Sequence, residues 1–108
     1  MNSGEIVLIP FPFSEISNVK VRPAIILFLT KDKYRDITVC AISSVISSKL
    51  SKAEFIINPS PTNGLRAVSV VKVDGIVTLR KNKVISKLGK LNHAENKKLK
   101  GIYLSLMN

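Results

Sequence analysis

Apolar residues come in short bursts along this chain, each closed by turn-forming residues, and that spacing predicts strands rather than long helices. Glu5-Ile6-Val7-Leu8-Ile9, after Gly4, predicts a first strand, ended by Pro10 and Pro12 in Pro10-Phe11-Pro12-Phe13. A polar loop from Ser14 to Lys20 leads to Lys20-Val21-Arg22-Pro23 and the apolar run Ala24 to Leu29. Pro23 biases Arg22 toward an extended conformation and suits the first position or the edge of a strand, so Arg22 is expected where a loop enters the second strand. Lys31-Asp32-Lys33 reads as a charged turn. The third strand, Asp36 to Ile42, then pairs with the second as a hairpin and runs out into Ser43-Ser44, which brings Arg22 and Ser43 to one edge of one sheet.

Ser47 to Lys52 shows no sustained period and predicts a loop or a single helical turn before a short strand, Glu54 to Ile57. Asn58 to Gly64 is the densest turn cluster. Beyond it Val68 to Val73 forms a strand, and Asp74-Gly75 predicts a tight hairpin turn into Ile76 to Leu79. Many short strands with turns at close intervals argue for a small, curved antiparallel barrel rather than an alternating α/β sheet. The C-terminal segment differs in period. Asn92 with Glu95 three residues on resembles a capping box, and Leu99, Ile102, Tyr103 and Leu106 recur at helical spacing, which predicts an amphipathic helix lying on the barrel. His93, the only histidine, falls in its first turn, where the helix dipole disfavours the charged form and a surface position is expected.

At 108 residues, 45% of them hydrophobic, the chain is expected to fold as one domain, residues 1–108, with a single core. Seventeen Lys and Arg against seven Asp and Glu give a net charge of +10, which favours a polyanionic partner. The last third is the most basic part, carrying Arg80, Lys81, Lys83, Lys87, Lys90, Lys97, Lys98 and Lys100. Met1 to Ser14 does not read as a signal peptide, and the longest apolar run is far short of the roughly 20 residues that span a bilayer. A cytoplasmic protein with no membrane partner is the expectation. Cys40, the only cysteine, sits in an apolar stretch and is expected to be a buried, inert thiol.

The sequence has no glycine-rich phosphate loop, no His/Cys ligand cluster, no Ser-His-Asp set and no suggestive carboxylate pair, so no metal and no cofactor is expected. Arginine, serine and positive charge remain. They suit RNA phosphodiester cleavage, because RNA carries its own nucleophile in the 2′-hydroxyl and the protein need only orient it and stabilise the anionic transition state. Arg22 would hold the phosphoryl oxygens, Ser43 would donate a hydrogen bond to the same group, and Glu15 would position Arg22 or accept a proton. Lys20, Ser44 and Lys49, close to them in sequence, are the candidate RNA contacts.

Five stretches carry a resemblance. Gly4 to Phe13, Val21 to Leu27, Cys40 to Ser44, Gly64-Leu65 with Ser69 to Asp74, and Lys87 to Leu91 together resemble the PemK/MazF-like toxins of bacterial type II toxin–antitoxin systems, in order and over nearly the whole chain. The resemblance implies a mainly β fold with a C-terminal helix, an SH3-like small antiparallel barrel of the PemK/MazF/CcdB kind. It further implies a homodimer and a metal-independent, sequence-selective endoribonuclease for single-stranded RNA. A cognate acidic antitoxin is the implied partner, with DNA reached only through that antitoxin. Arg22 matches the family's Arg-Pro arginine, Ser43 the position after Ala-Ile where threonine is common, and Glu15 the acidic position after Phe-Pro-Phe-Ser. The family gives the arginine a general acid or base role. An electrostatic clamp accounts for it equally, since a guanidinium releases a proton only at great cost. A small barrel that binds nucleic acid or a protein without cutting is the alternative reading.

Overall fold

The computed structural model describes residues 1–11 and 20–108. Six strands appear in chain order: β1 (Glu5–Phe11), β2 (Lys20–Leu29), β3 (Ile37–Ser43), β4 (Glu54–Ile57), β5 (Ser69–Leu79) and β6 (Ser86–Lys90). A 3-10 turn (Lys81–Lys83) separates β5 from β6, and the helix α1 (His93–Ser105) ends the fold. All strand pairs are antiparallel, in the order β4-β5-β3-β2-β1-β6, and the sheet curls into a half-barrel.

The uninterrupted apolar run of β2 follows from its place in the middle of this sheet, where both faces are covered. Ile6, Ile25 and Cys40 stand directly opposite one another on three adjacent strands and point into one core. Phe55, Ile57 and Val71 extend that core across β4 and β5, and Leu91 and Leu99 close it from the helix side. Residues of the other parity, Val7, Ile9, Ala24, Ile26 and Val39, join Ile37 in a second core on the opposite face. Curling is helped by bulges, at which one strand carries extra residues and twists more strongly. They occur at Leu27 in β2, at Leu88 in β6 and, more drastically, at Val73 to Gly75 in β5.

That second bulge corrects the expected hairpin. Asp74-Gly75 does not reverse the chain: β3 pairs with both halves of β5, Cys40 with Ile76 and Ala41 with Lys72, and the intervening residues stand opposite nothing on β3. A ladder partner already present for both halves outweighs the local preference for a turn. Pro10 likewise does not end β1, which continues to Phe11. β6 pairs only as far as Leu8, so Pro10 lies where one side of the strand has no β6 neighbour to receive a donor. Arg22 and Pro23 sit inside β2, and Pro23 lies just beyond the last β2–β3 pair, Ala24 with Ala41.

The helix begins as the sequence predicts. Asn92 Oδ1 accepts from the Glu95 backbone N–H at 2.8 Å, and Glu95 Oε1 accepts from the Asn92 backbone N–H at 2.8 Å. Leu99 is buried, with Ile102 and Tyr103 packed against the same core, whereas Leu106 caps the C-terminus and is exposed. Among the described residues no helix is long and apolar enough to cross a membrane.

Candidate active site

A small residue makes room for the site. Ala41 of β3, paired with the buried Ala24 of β2, lines a depression on the face that also carries Arg22, two residues before Ala24, and Ser43, two residues after Ala41. Continued past its last pair, the same register sets Arg22 beside Ser43. The β5 bulge supplies the opposite wall, with Asp74, Gly75, Ile76 and Val77, and Lys72 stands at the bulge's near end. The result is an open cleft of about 470 Å³.

The chemistry of its lining is compact. Arg22 is half-buried at the edge of the second core, opposite Ile9 of β1. Ser43 Oγ accepts from the Val45 backbone N–H at 3.1 Å, which orients the oxygen while its own hydrogen takes no part in that bond. Lys72 Nζ lies 3.6 Å from Glu54 Oε2 on the neighbouring strand β4. The Ser51 backbone N–H, which donates to Glu54 at 2.7 Å, and then Lys72 hold the Glu54 carboxyl below its ordinary range, so Glu54 remains an anionic strut beside Lys72. Asp74 is exposed and is the only carboxylate among the described residues lining the cleft. Two cations, a hydroxyl and a carboxylate therefore face one open cleft.

The structure brings Arg22 and Ser43 together, and Ser44, Lys20 and Lys49 do not line their cleft. Ser44 points to the opposite face, into a second cleft of about 520 Å³ with Val21, Pro23, Leu65, Arg66 and Leu88. Lys20 is exposed two residues before Arg22, paired with Phe11, and Lys49 is exposed on the loop after β3; neither lines the first cleft. Glu15 lies outside the described residues. His93 is exposed at the first position of α1, and among the described residues no three His, Cys, Asp or Glu side chains converge as a metal site would require.

Lys72 and Asp74 are the members of the cleft that sequence reasoning did not assign. Their signal was present in the stretch Ser69 to Asp74. Reading Asp74-Gly75 as a turn placed Asp74 at a hairpin tip instead of in the bulge that walls the cleft.

The second cleft is walled by an interlock between two of the stretches that carried the resemblance. Gly64 has φ +70, a conformation glycine adopts without strain, and a Cβ there would collide with the Leu88 carbonyl. A Cβ on Gly89 would collide in turn with the Thr62 carbonyl. The Lys90 N–H donates to that same carbonyl at 3.0 Å, so the turn-rich loop is bound to β6 by backbone.

Comparison with known proteins agrees with this architecture. The family model described as PemK-like, MazF-like toxin of type II toxin-antitoxin system matches residues 2–102. No curated protein matches the sequence. Among solved structures, an endoribonuclease in complex with its cognate antitoxin from a mycobacterial species is 16% identical, with a TM-score of 0.70 over 99% of this chain and 94% of that one. The Mycobacterium tuberculosis toxin MazF-mt6 is 18% identical, with a TM-score of 0.70 over 95% of each chain. MazF from Deinococcus radiodurans is 20% identical, with a TM-score of 0.70 over 99% of this chain and 96% of that one. At these identities the structural likeness speaks for the fold.

Proposed function

Because this chain belongs to the PemK-like, MazF-like toxins of type II toxin–antitoxin systems, matching their family model over residues 2–102, we propose that its first cleft cuts single-stranded RNA, as the toxin half of such a pair. The observation that carries this reading is the meeting of Arg22, Ser43, Lys72 and Asp74 in one cleft at the end of β2 and β3.

In the proposed reaction the 2′-oxygen of the RNA attacks the adjacent phosphorus, its proton passes to a base, and the 5′-oxygen leaves with a proton from an acid or water. The products are a 2′,3′-cyclic phosphate and a free 5′-hydroxyl. Arg22 and the Ser43 hydroxyl donate to the non-bridging oxygens, whose charge grows in the transition state. Asp74, which lines the same cleft, takes the 2′ proton, a role for which the sequence also offers Glu15. Lys72, held by Glu54, adds positive charge at the rim. The reaction as proposed uses no metal.

Partners follow from the same reading. A cognate antitoxin with an acidic segment suits a chain of net charge +10, a homodimer is the proposed assembly, and contact with DNA would come through the antitoxin.

The deciding experiment incubates purified protein with single-stranded RNA in EDTA, beside a DNA oligomer of the same sequence. Cleavage of RNA alone, with cyclic-phosphate ends, is expected. Loss of one transition-state donor in Arg22→Ala or Ser43→Ala should slow it by about 10² to 10³. Tight RNA binding without cleavage would establish a binding module instead, and Arg22→Ala cutting at the wild-type rate would remove the site assignment.

A further inference from the structure

At the end of the second core furthest from Arg22, two turns meet. Leu29 of β2 pairs with Ile37 of β3, and Ile37 pairs with Leu79 of β5. The β2–β3 turn carrying Lys31, Lys33 and Arg35 therefore lies beside the β5–β6 connection carrying Arg80, Lys81 and Lys83. All six cations are exposed, and among the described residues none is in an ion pair. The 3-10 turn buries no residue, so its charges serve no core.

The β2–β3 turn is also firmly shaped. Asp32 Oδ1 accepts from the Tyr34 and Arg35 backbone N–H groups, each at 3.1 Å, and from the Thr30 hydroxyl at 3.0 Å, so this oxygen is committed to the turn. Arg35 has φ 50, the only positive φ at a non-glycine among the described residues, a conformation an arginine adopts at some cost. The turn leaves Tyr34 58% exposed, with Lys33 Nζ 5.2 Å from its ring centroid. An exposed ring among unpaired cations matches what an unstacked base and its phosphates need. An acidic peptide would use the charge but has no need of the ring.

We propose that Tyr34, with Lys31, Lys33, Arg35, Arg80, Lys81 and Lys83, forms an accessory site for single-stranded RNA that holds the strand beyond the cut phosphate. It rests on the RNA-cleaving reading of the first cleft. Asp74, Ile76 and Thr78 are an exposed row along β5 with Arg80 exposed just past its end, and the first two line that cleft, so a surface path joins the two places. From Arg22 to Leu29 the strand covers about 23 Å at 3.3 Å per residue, the span of about seven nucleotides at a stacked rise of 3.4 Å and of fewer where the bases are unstacked. Substrates too short to span it would occupy the cleft alone.

The test uses two RNAs sharing one mapped cut site, each with a single 2′-deoxy sugar there to block cleavage. The short one carries about three nucleotides on each side and the long one about ten, bracketing the seven-nucleotide reach. Wild-type protein should bind the long RNA more tightly. The triple variant Arg80→Gln, Lys81→Gln, Lys83→Gln should lose that advantage and lower the slope of log affinity against log salt by about 2, at about 0.7 per single-strand phosphate contact. Tyr34→Ala should weaken the long RNA by about 5- to 150-fold, the usual range for one stacked base, while Tyr34→Phe keeps wild-type affinity. Equal wild-type binding of the two RNAs, or equal loss on both in the variants, overturns the proposal. So does a triple variant that weakens polyglutamate binding and leaves the long RNA untouched, which would assign the patch to an acidic protein. Absence of binding of the short RNA, together with no cleavage of its all-ribose counterpart, would instead mark failure of the first cleft's reading.

Discussion

Replacing Asn63 by alanine should cost this fold about a third of its stability. The side chain is fully buried in the loop between β4 and β5, where it stands in for missing secondary structure. Its Oδ1 accepts from the Ser60 and Leu65 backbone N–H groups, each at 3.0 Å, and its Nδ2 donates to the Asn58 carbonyl at 2.8 Å. Alanine removes three hydrogen bonds at a net value of about 1 kcal/mol each, and it leaves backbone groups inside a loop with no replacement partner, so about 3 kcal/mol is a fair minimum. A chain of this size has about 5–15 kcal/mol in total. At about 4–8 °C per kcal/mol, the melting temperature should fall by about 12–24 °C, read by circular dichroism, with a lower urea midpoint and an unchanged urea slope. Asn63→Asp sharpens the test. Its carboxylate keeps both acceptor roles but turns an oxygen toward the Asn58 carbonyl, so the folded state favours the protonated acid. A folded pKa raised in this way gives stability that is present at low pH and lost as pH rises through it. A melting shift below about 4 °C for Asn63→Ala, worth under about 1 kcal/mol, would show that the loop is not held by this side chain.

Three further outcomes are expected. Gly89→Ala should destabilise severely, because its Cβ meets the Thr62 carbonyl and the Asn63 backbone rather than a movable side chain; a melting curve matching wild type would contradict that packing. Lys87 donates to Glu5 Oε2 at 2.8 Å and, with the Asn2 backbone N–H, holds the Glu5 carboxyl below its ordinary range. That bond therefore stabilises above the unfolded carboxylate's pKa and is lost as pH falls through the lowered folded value; Lys87→Ala should narrow the gap in melting temperature between pH 6 and pH 3, and an unchanged gap counts against the pairing. Burial pushes the Cys40 thiol up to about 12, so iodoacetamide at pH 8 should label it only as fast as the protein opens, with rapid labelling in denaturant; fast labelling of folded protein would refute its burial.

What was legible in the sequence was whatever depended on parity and punctuation. Asn92 and Glu95 marked the helix start because the capping pair is local chemistry, and Arg22 and Ser43 came to one sheet edge because a short charged turn fixes a hairpin. Asp74-Gly75 misled for the same reason. Its local preference is a turn, but a second strand waited on the far side, and only the three-dimensional pairing shows that β3 serves both halves of β5. β6 was invisible because Ser86 to Lys90 is polar, basic and interrupted by Gly89; it is a strand because β1 offers Glu5 to Leu8 as an edge to pair with. The bulge and the site's wall go together, since Asp74 and Gly75 enter the cleft only through it, while Lys72 reaches the cleft from its regular pairing with Ala41.

The two clefts at the end of β2 lie back to back: Arg22 faces one, while Val21 and Pro23 face the other. Length changes in this part of the chain are therefore of two unequal kinds. Residues added before β2 leave every side chain of the strand on its own face. A single residue added between Arg22 and Ala24 would carry the guanidinium through the sheet, away from Ser43 and into the apolar cleft beside Leu65 and Leu88, while the core beyond Ala24 kept its register. Such a protein should keep the core beyond Ala24 and lack the arginine proposed for catalysis, so that one step of spacing separates the fold from the proposed activity.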